Sequence, residues 1–214
     1  MTQNEEQLSA LNDIRKMMER SSKFISLNGF SGVFIGLFAL LGAATVFIYL
    51  GRYDTTYCEY FRSPATVIPK HTLSFFVYIC LSVLVLSLLS GSLLTIRKAR
   101  KRGLEIWDAT TKRMLINLFI PLITGGCFVI ALVSYQLNGL VIPSMLLFYG
   151  LALINSSKYT FYEIRYLGII EILFGLASLA FIPLGLIFWS LGFGVMHIIY
   201  GIMMYYRYER KPIS

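Results

Sequence analysis

Charge is scarce in this sequence: only 14% of its 214 residues are Asp, Glu, Lys or Arg, where a soluble domain carries about a quarter. That shortage excludes an ordinary soluble enzyme, and the 57% hydrophobic content excludes disorder. Histidine is rarer still, with only His71 and His197, and the three cysteines form no CxxC pair. A disulfide framework and a zinc site are both excluded on that basis. No HExxH, GxxxxGK[ST] or GxSxG motif is present, so zinc-protease, P-loop and serine-hydrolase chemistry lack their sequence signatures. Alternating apolar and polar residues never extend far enough for a membrane barrel. No cofactor and no metal is expected. The net charge of +8 would point to nucleic acid on a soluble protein, but here the basic residues sit in short segments between apolar runs, and no nucleic-acid partner is expected.

What the sequence has in quantity is apolar length, with a mean hydropathy of +0.69. Crossing about 30 Å of hydrocarbon takes roughly 20 helical residues. Six runs meet or approach that length: 26–50 (or 29–50), 71–96, 114–136, 139–156, 166–183 and 184–206. The expected fold is therefore an all-α polytopic bundle of six spans across 26–206. The short fourth and fifth runs leave a re-entrant segment as the alternative. Sixteen Lys and Arg residues fall on one side of this arrangement, against Arg52, Arg62 and Lys70 on the other. The positive-inside rule then places both termini in the cytoplasm. Glu5, Glu6, Asp13 and Glu19 argue against a cleavable signal peptide, so the first span is expected to stay as an anchor.

The segments flanking the spans have distinct characters. Residues 1–25 read as an amphipathic cytoplasmic or interfacial helix, with Thr2 and Glu5 as a capping box and Leu8, Leu11, Ile14 and Met18 at helical spacing. Packing on the bundle and docking of a cytoplasmic protein partner are the two readings of that helix. The segment 97–113 holds Arg97, Lys98, Arg100, Lys101, Arg102, Lys112 and Arg113, for a net +5. It fixes topology and is the expected contact for anionic lipid head groups, at about 1 kcal/mol per charge. Residues 207–214 form a short basic tail. The loop 51–70 carries Tyr53, Tyr57, Tyr60 and Phe61, which fit an aromatic belt at the membrane surface.

Two constellations lie inside the spans. Gly29, Gly32 and Gly36 line one face of the first span with Ala39 and Ala43; such a stripe lets helix backbones approach closely, within one chain or across a homodimer. Gly29, Gly36, Leu37 and Leu40 also align with Gly168, Gly175, Leu176 and Leu179, a weak internal repeat that would make three helical hairpins. Glu171 is the one acid within a span, and His197 is its closest ionisable counterpart by depth. With Tyr200, Asn117 and Asn155 in the same half, they define a candidate polar intramembrane site. One reading has them bind a proton, cation or amine in a cavity; the other has them hydrogen-bond one another as polar glue. Cys80 and Cys127 read as small buried hydrophobes.

The runs ERSSKFISLNGFSG and LGFGVMHIIYG resemble segments of small, uncharacterised bacterial inner-membrane proteins with several spans. That resemblance implies a bacterial cytoplasmic membrane and no activity. The leading functional expectation is a non-enzymatic scaffold or signalling protein working through its cytoplasmic face. A small transporter or channel using Glu171 and His197 is the alternative, and a lipid-processing enzyme is the third.

Overall fold

The computed structural model describes residues 29–53, 55–101, 103 and 106–208. The amino-terminal helix expected over 1–25, Arg102, and most of the tail 207–214 lie outside the described residues. Among those described, the fold is all-helical, with one isolated bridge between Thr66 and Leu137. In chain order the helices are α1 (Gly29–Gly51), α2 (Tyr57–Tyr60), α3 (Lys70–Lys101), α4 (Ala109–Ser134), α5 (Val141–Ser156), α6 (Glu163–Ala180), α7 (Gly185–Trp189) and α8 (His197–Tyr208). A π-helical stretch, Ser190–Met196, joins α7 to α8.

Five stretches are long and apolar enough to cross a bilayer: Gly29–Gly51, Lys70–Lys101, Ala109–Ser134, Asn138–Tyr159 and Ile182–Tyr208. This is the architecture of a membrane protein. The remaining long helix, α6, has 18 residues and carries Glu163, Arg165 and Glu171 within them, whereas each of the other five holds an equally long stretch with at most two charges. Its boundaries differ from the expected 166–183, because Phe181 leaves helical geometry (φ −126°, ψ 64°) and Ile182–Leu184 starts a new turn with Pro183 near its front. Proline suits that place, since the first turn of a helix has no partner for its N–H. α3 is also longer than expected, because Lys98, Arg100 and Lys101 continue it as its last turn, where cations meet the negative end of the helix dipole. Asp108 then starts α4 by accepting from the Thr111 N–H at 2.7 Å.

The helices pack as a row. α3 lies on α1, α1 on the α7–α8 helix, that helix on α6, α6 on α5, and α5 on α4. α3 and α4, though consecutive in sequence, end on opposite flanks of the row and keep largely outward apolar faces. Close approach is set by glycine at two places. A Cβ on Gly29 would fall 2.7 Å from the Gly201 carbonyl oxygen, and one on Gly36 would meet Ile198 of the same partner helix. A Cβ on Gly150 would lie 2.6 Å from the Gly168 oxygen, and one on Gly168 would lie 2.7 Å from the Gly150 oxygen. The aligned glycines of α1 and α6 thus perform the same job against α8 and α5. Cys80 and Cys127 face outward from the bundle, not inward as expected, because both sit on the lightly packed flanking helices.

The loop after α1 folds back over the helix ends. Tyr57, Phe61 and Ile68 are buried with Leu50, packed by Phe76, Ile142 and Leu186. Thr66 donates its N–H to the Gln136 oxygen at 3.1 Å, Asn138 Nδ2 donates to the Thr66 oxygen at 2.6 Å, and Gly139 N–H donates to the Pro64 oxygen at 3.1 Å. Two of the four loop aromatics are therefore core, not belt. The loop's short helix is closed by a capping box, with Glu59 N–H on Thr56 Oγ1 and Thr56 N–H on Glu59 Oε2. Those Thr56 bonds hold the Glu59 carboxyl below its usual range. A lowered folded-state value means the contribution is complete above the unfolded carboxyl's range and is lost as pH falls through the lowered one. Amide exchange in residues 56–61 should therefore accelerate on acidification below the ordinary carboxylate range. Thr56→Ala should make the same amides fast at all pH values; an unchanged pH profile in that variant would contradict the assignment.

Candidate functional site

Burial on α6 follows helical spacing: Glu163, Leu167, Gly168, Glu171, Gly175 and Ser178 all turn to one face. That face meets α5 and the π segment, so a carboxylate at position 171 is carried into the centre of the row. Glu171 is 0% exposed, and neither carboxylate oxygen has a hydrogen-bond partner among the described residues. It sits eight residues into α6, about 12 Å from the helix start.

His197 opens α8 and is 3% exposed. Its Nδ1 lies 3.1 Å from the Gly192 carbonyl oxygen. A carbonyl only accepts, so Nδ1 carries the proton there. Nε2 is then free to accept from the Tyr149 hydroxyl at 2.7 Å. Glu171 Oε1 is 3.6 Å from Nδ1, too far for a hydrogen bond. The imidazole therefore has both nitrogens engaged while the carboxylate beside it has neither oxygen engaged.

The π segment makes this geometry. A π turn carries one more residue than an α turn and recurs at functional sites; here it brings Gly192 against Glu171. A Cβ at Gly192 would collide with the Glu171 carboxylate and lie 2.9 Å from Leu146 Cδ2, so glycine is what allows the helix this close. Phe193 covers the cluster, with its ring 4.9 Å from Tyr149, 5.5 Å from Trp189 and 6.1 Å from His197. Gly192→Ala should push the Glu171 carboxylate away from His197 while leaving the helices seated, because the atoms it meets are side-chain ends. Loss of Glu171-dependent behaviour with unchanged thermal stability is the expected outcome, and an unaltered Glu171 response would show that the spacing does not matter.

The other expected site residues separate. The Tyr200 hydroxyl is buried without a partner among the described residues and lies near Tyr149, Glu163 and Tyr208. Asn155 Nδ2 donates to the Asn117 backbone oxygen at 3.1 Å, and Asn117 Nδ2 donates to the Arg113 oxygen at 2.8 Å. The Asn155 bond ties α5 to α4, while the Asn117 side chain bonds within α4; both lie apart from the Glu171 cluster. Asn155→Ala should cost about 1 kcal/mol of stability, read as a lower melting temperature, with no effect on any Glu171-dependent activity. Gly29, Gly32 and Gly36 face α8 of the same chain, which occupies the stripe. Arg97, Arg100, Lys101, Lys112 and Arg113 are exposed around the α3–α4 connection, with Lys98 partly covered.

Tyr149, Gly192 and Glu163 were not foreseen as site residues. Depth matching was the available signal for Tyr149, since it lies seven residues from the end of α5, about 10 Å, close to the depth of Glu171 in α6. Among the described residues no group of three or more His, Cys, Asp or Glu converges to hold a metal ion. A charge enclosed in this way is costly without a counter-charge. Glu171 is therefore either protonated or held against one small positive charge, with the Tyr149–His197–Gly192 chain fixing the wall beside it. No family model, curated protein or solved structure matches this chain.

Proposed function

We propose that this chain is a six-span protein of a bacterial inner membrane, with both termini cytoplasmic, that conducts or couples to a small monovalent cation, the proton included, through Glu171. α6, fifth in chain order, completes the six in this reading: its 18 residues reach about 27 Å, nearly the hydrocarbon thickness. The observation that carries the functional reading is the enclosed Glu171 carboxylate, both oxygens unpartnered among the described residues, beside a histidine whose two nitrogens are satisfied. Polar glue would show the opposite, with each partner's bonding capacity used by the other.

Proteoliposomes loaded with a pH-sensitive or a sodium-sensitive dye test it under an imposed potential. Wild-type protein should pass one of the two ions well above the empty-vesicle rate, and Glu171→Gln should return it to that rate. Equal traces for wild type and variant in both dyes would remove the reading.

The exposed basic residues around the α3–α4 connection favour a second role, contact of the cytoplasmic face with anionic lipid or with an acidic partner. Replacing Arg97, Arg100 and Lys101 with glutamine should remove about 3 kcal/mol of attraction to an anionic surface at low salt. Anionic lipid retained on purification should fall accordingly, and high salt should erase the difference. Retention that ignores both the substitutions and the salt would exclude this contact.

A further inference from the structure

The seam between α6 and α8 holds polar groups at successive depths, and the Glu171 cluster accounts for only the deepest of them. At its Arg207 end, Glu163 Oε1 accepts from the Tyr208 hydroxyl at 2.8 Å and pairs with Arg207 at 3.1 Å. The second Glu163 oxygen is buried and has no partner among the described residues. Two turns further in, the Tyr200 hydroxyl is likewise buried with no partner among them. Beyond it come the Tyr149 hydroxyl and His197, and then Glu171. Helical spacing explains the alignment: 163, 167 and 171 share a face of α6, as 197, 200, 204 and 207 do on α8. Between the polar groups the seam is filled by Leu153, Ile164 and Leu167, with Met196 against them. Unused polar atoms strung through an apolar seam are where transient water or an ion gains most from entering.

We propose that this seam is the entry path to the Glu171 site and that Glu163, Arg207 and Tyr208 form the latch that closes it; the inference rests on Glu171 being an ion site. The latch is built to open. The Arg207 side chain is 64% exposed while Glu163 is 9% exposed, so water competes for the arginine and the ion pair is weak. Releasing Arg207 and Tyr208 moves side chains at the helix end and leaves the glycine contacts of α8 with α1 in place. The second Glu163 oxygen is then the first polar stop, and Tyr200 the next.

Thiol accessibility reads this directly. With Cys58→Ser, Cys80→Ala and Cys127→Ala as background, Tyr200→Cys is exposed to a membrane-impermeant maleimide in right-side-out and inverted vesicles. Met204→Cys, on the same buried face, serves as a second reporter should Tyr200→Cys not fold. Labelling should occur only from the side that carries Arg207; adding Tyr208→Phe should raise its rate about tenfold, the worth of one charge-assisted hydrogen bond, and Arg207→Gln should raise it by less, as the exposed ion pair is weaker. Labelling from both sides, or a rate that ignores both latch substitutions, overturns the path. Ion flux through the latch variants separates the two ideas. A latch-dependent labelling rate with flux indifferent to Glu171→Gln keeps the path and removes the ion reading. A latch-independent rate with Glu171-dependent flux does the reverse.

Discussion

Gly168→Leu will leave little folded protein in the membrane. The atoms a side chain would meet at Gly168 are the Gly150 carbonyl oxygen at 2.7 Å, Ile154 Cγ1 at 2.9 Å and the Ile154 backbone nitrogen at 3.1 Å. Two of those three are main chain, so a repacked rotamer gives no relief and α5 and α6 must separate. Hydrocarbon supplies no hydrophobic drive to hold two helices together; van der Waals contact at close range does that work. Separation by even an ångström forfeits a quarter to a half of each contact's attraction, in the most extensive helix pair of the fold. A single inserted methyl already costs about 1–3 kcal/mol in a tight core, and leucine should exceed that range. Gly126 is the control, since a Cβ there meets nothing within 4 Å. Gly126→Ala should be neutral, or stabilising by up to about 1 kcal/mol through helix propensity. Monodisperse yield and melting temperature in detergent check both. Equal behaviour of the two substitutions would mean that α5 and α6 do not meet at these glycines.

Glu171→Leu will make the protein more stable and inactive. Replacing a buried, poorly compensated charge with an apolar side chain of similar volume is neutral or stabilising by about 1–4 kcal/mol. Here no hydrogen bond is lost with the carboxylate, because it makes none among the described residues. The leucine would be surrounded by Leu146 and Gly192, surfaces that accept it. Glu171→Gln keeps the shape and should also fold, without the gain. Glu171→Lys should fail to fold, because its ammonium is forced beside the proton on His197 Nδ1. A melting temperature that rises for leucine while ion flux vanishes is the signature of a site kept for function at the expense of stability. A fall of several degrees for both leucine and glutamine would instead make Glu171 a structural tie.

How much of this was legible in the sequence follows from which forces leave a local trace. Apolar length does, so the helices over 29–51, 70–101, 109–134, 138–159 and 182–208 were visible as runs such as 71–96 and 114–136. Their ends were less so: Lys98 and Arg100 read as loop because charge normally leaves the membrane, yet they finish α3 favourably against its dipole. The order of helices in the row left no trace. Close packing depends on which glycine faces which, and Gly168 reads the same whether its partner is Gly150 or another chain. Glu171 and His197 stood out because an ionisable residue inside an apolar run is costly wherever it points. Tyr149 did not, because a tyrosine among apolar residues is ordinary until its hydroxyl is seen 2.7 Å from a histidine. Gly192 was hidden for a related reason: the widened helix over Ser190–Met196 packs Gly192 against Glu171 on another helix, and periodicity in one segment cannot report on another.

Reaction of the reconstituted protein with a hydrophobic carbodiimide, mapped by mass spectrometry, tests the ion site most directly. The carboxyl oxygen adds to the reagent's central carbon as the acid proton passes to nitrogen, and the resulting O-acylisourea rearranges by acyl transfer to nitrogen into a stable N-acylurea; a proton or cation held at the same oxygens governs the rate. Modification of Glu171, slowed by raising pH or by adding sodium and absent in Glu171→Gln, is the expected result. A Glu171 that stays unmodified, or reacts at a rate indifferent to both pH and sodium, would contradict the assignment of this carboxylate as the place where the ion is held.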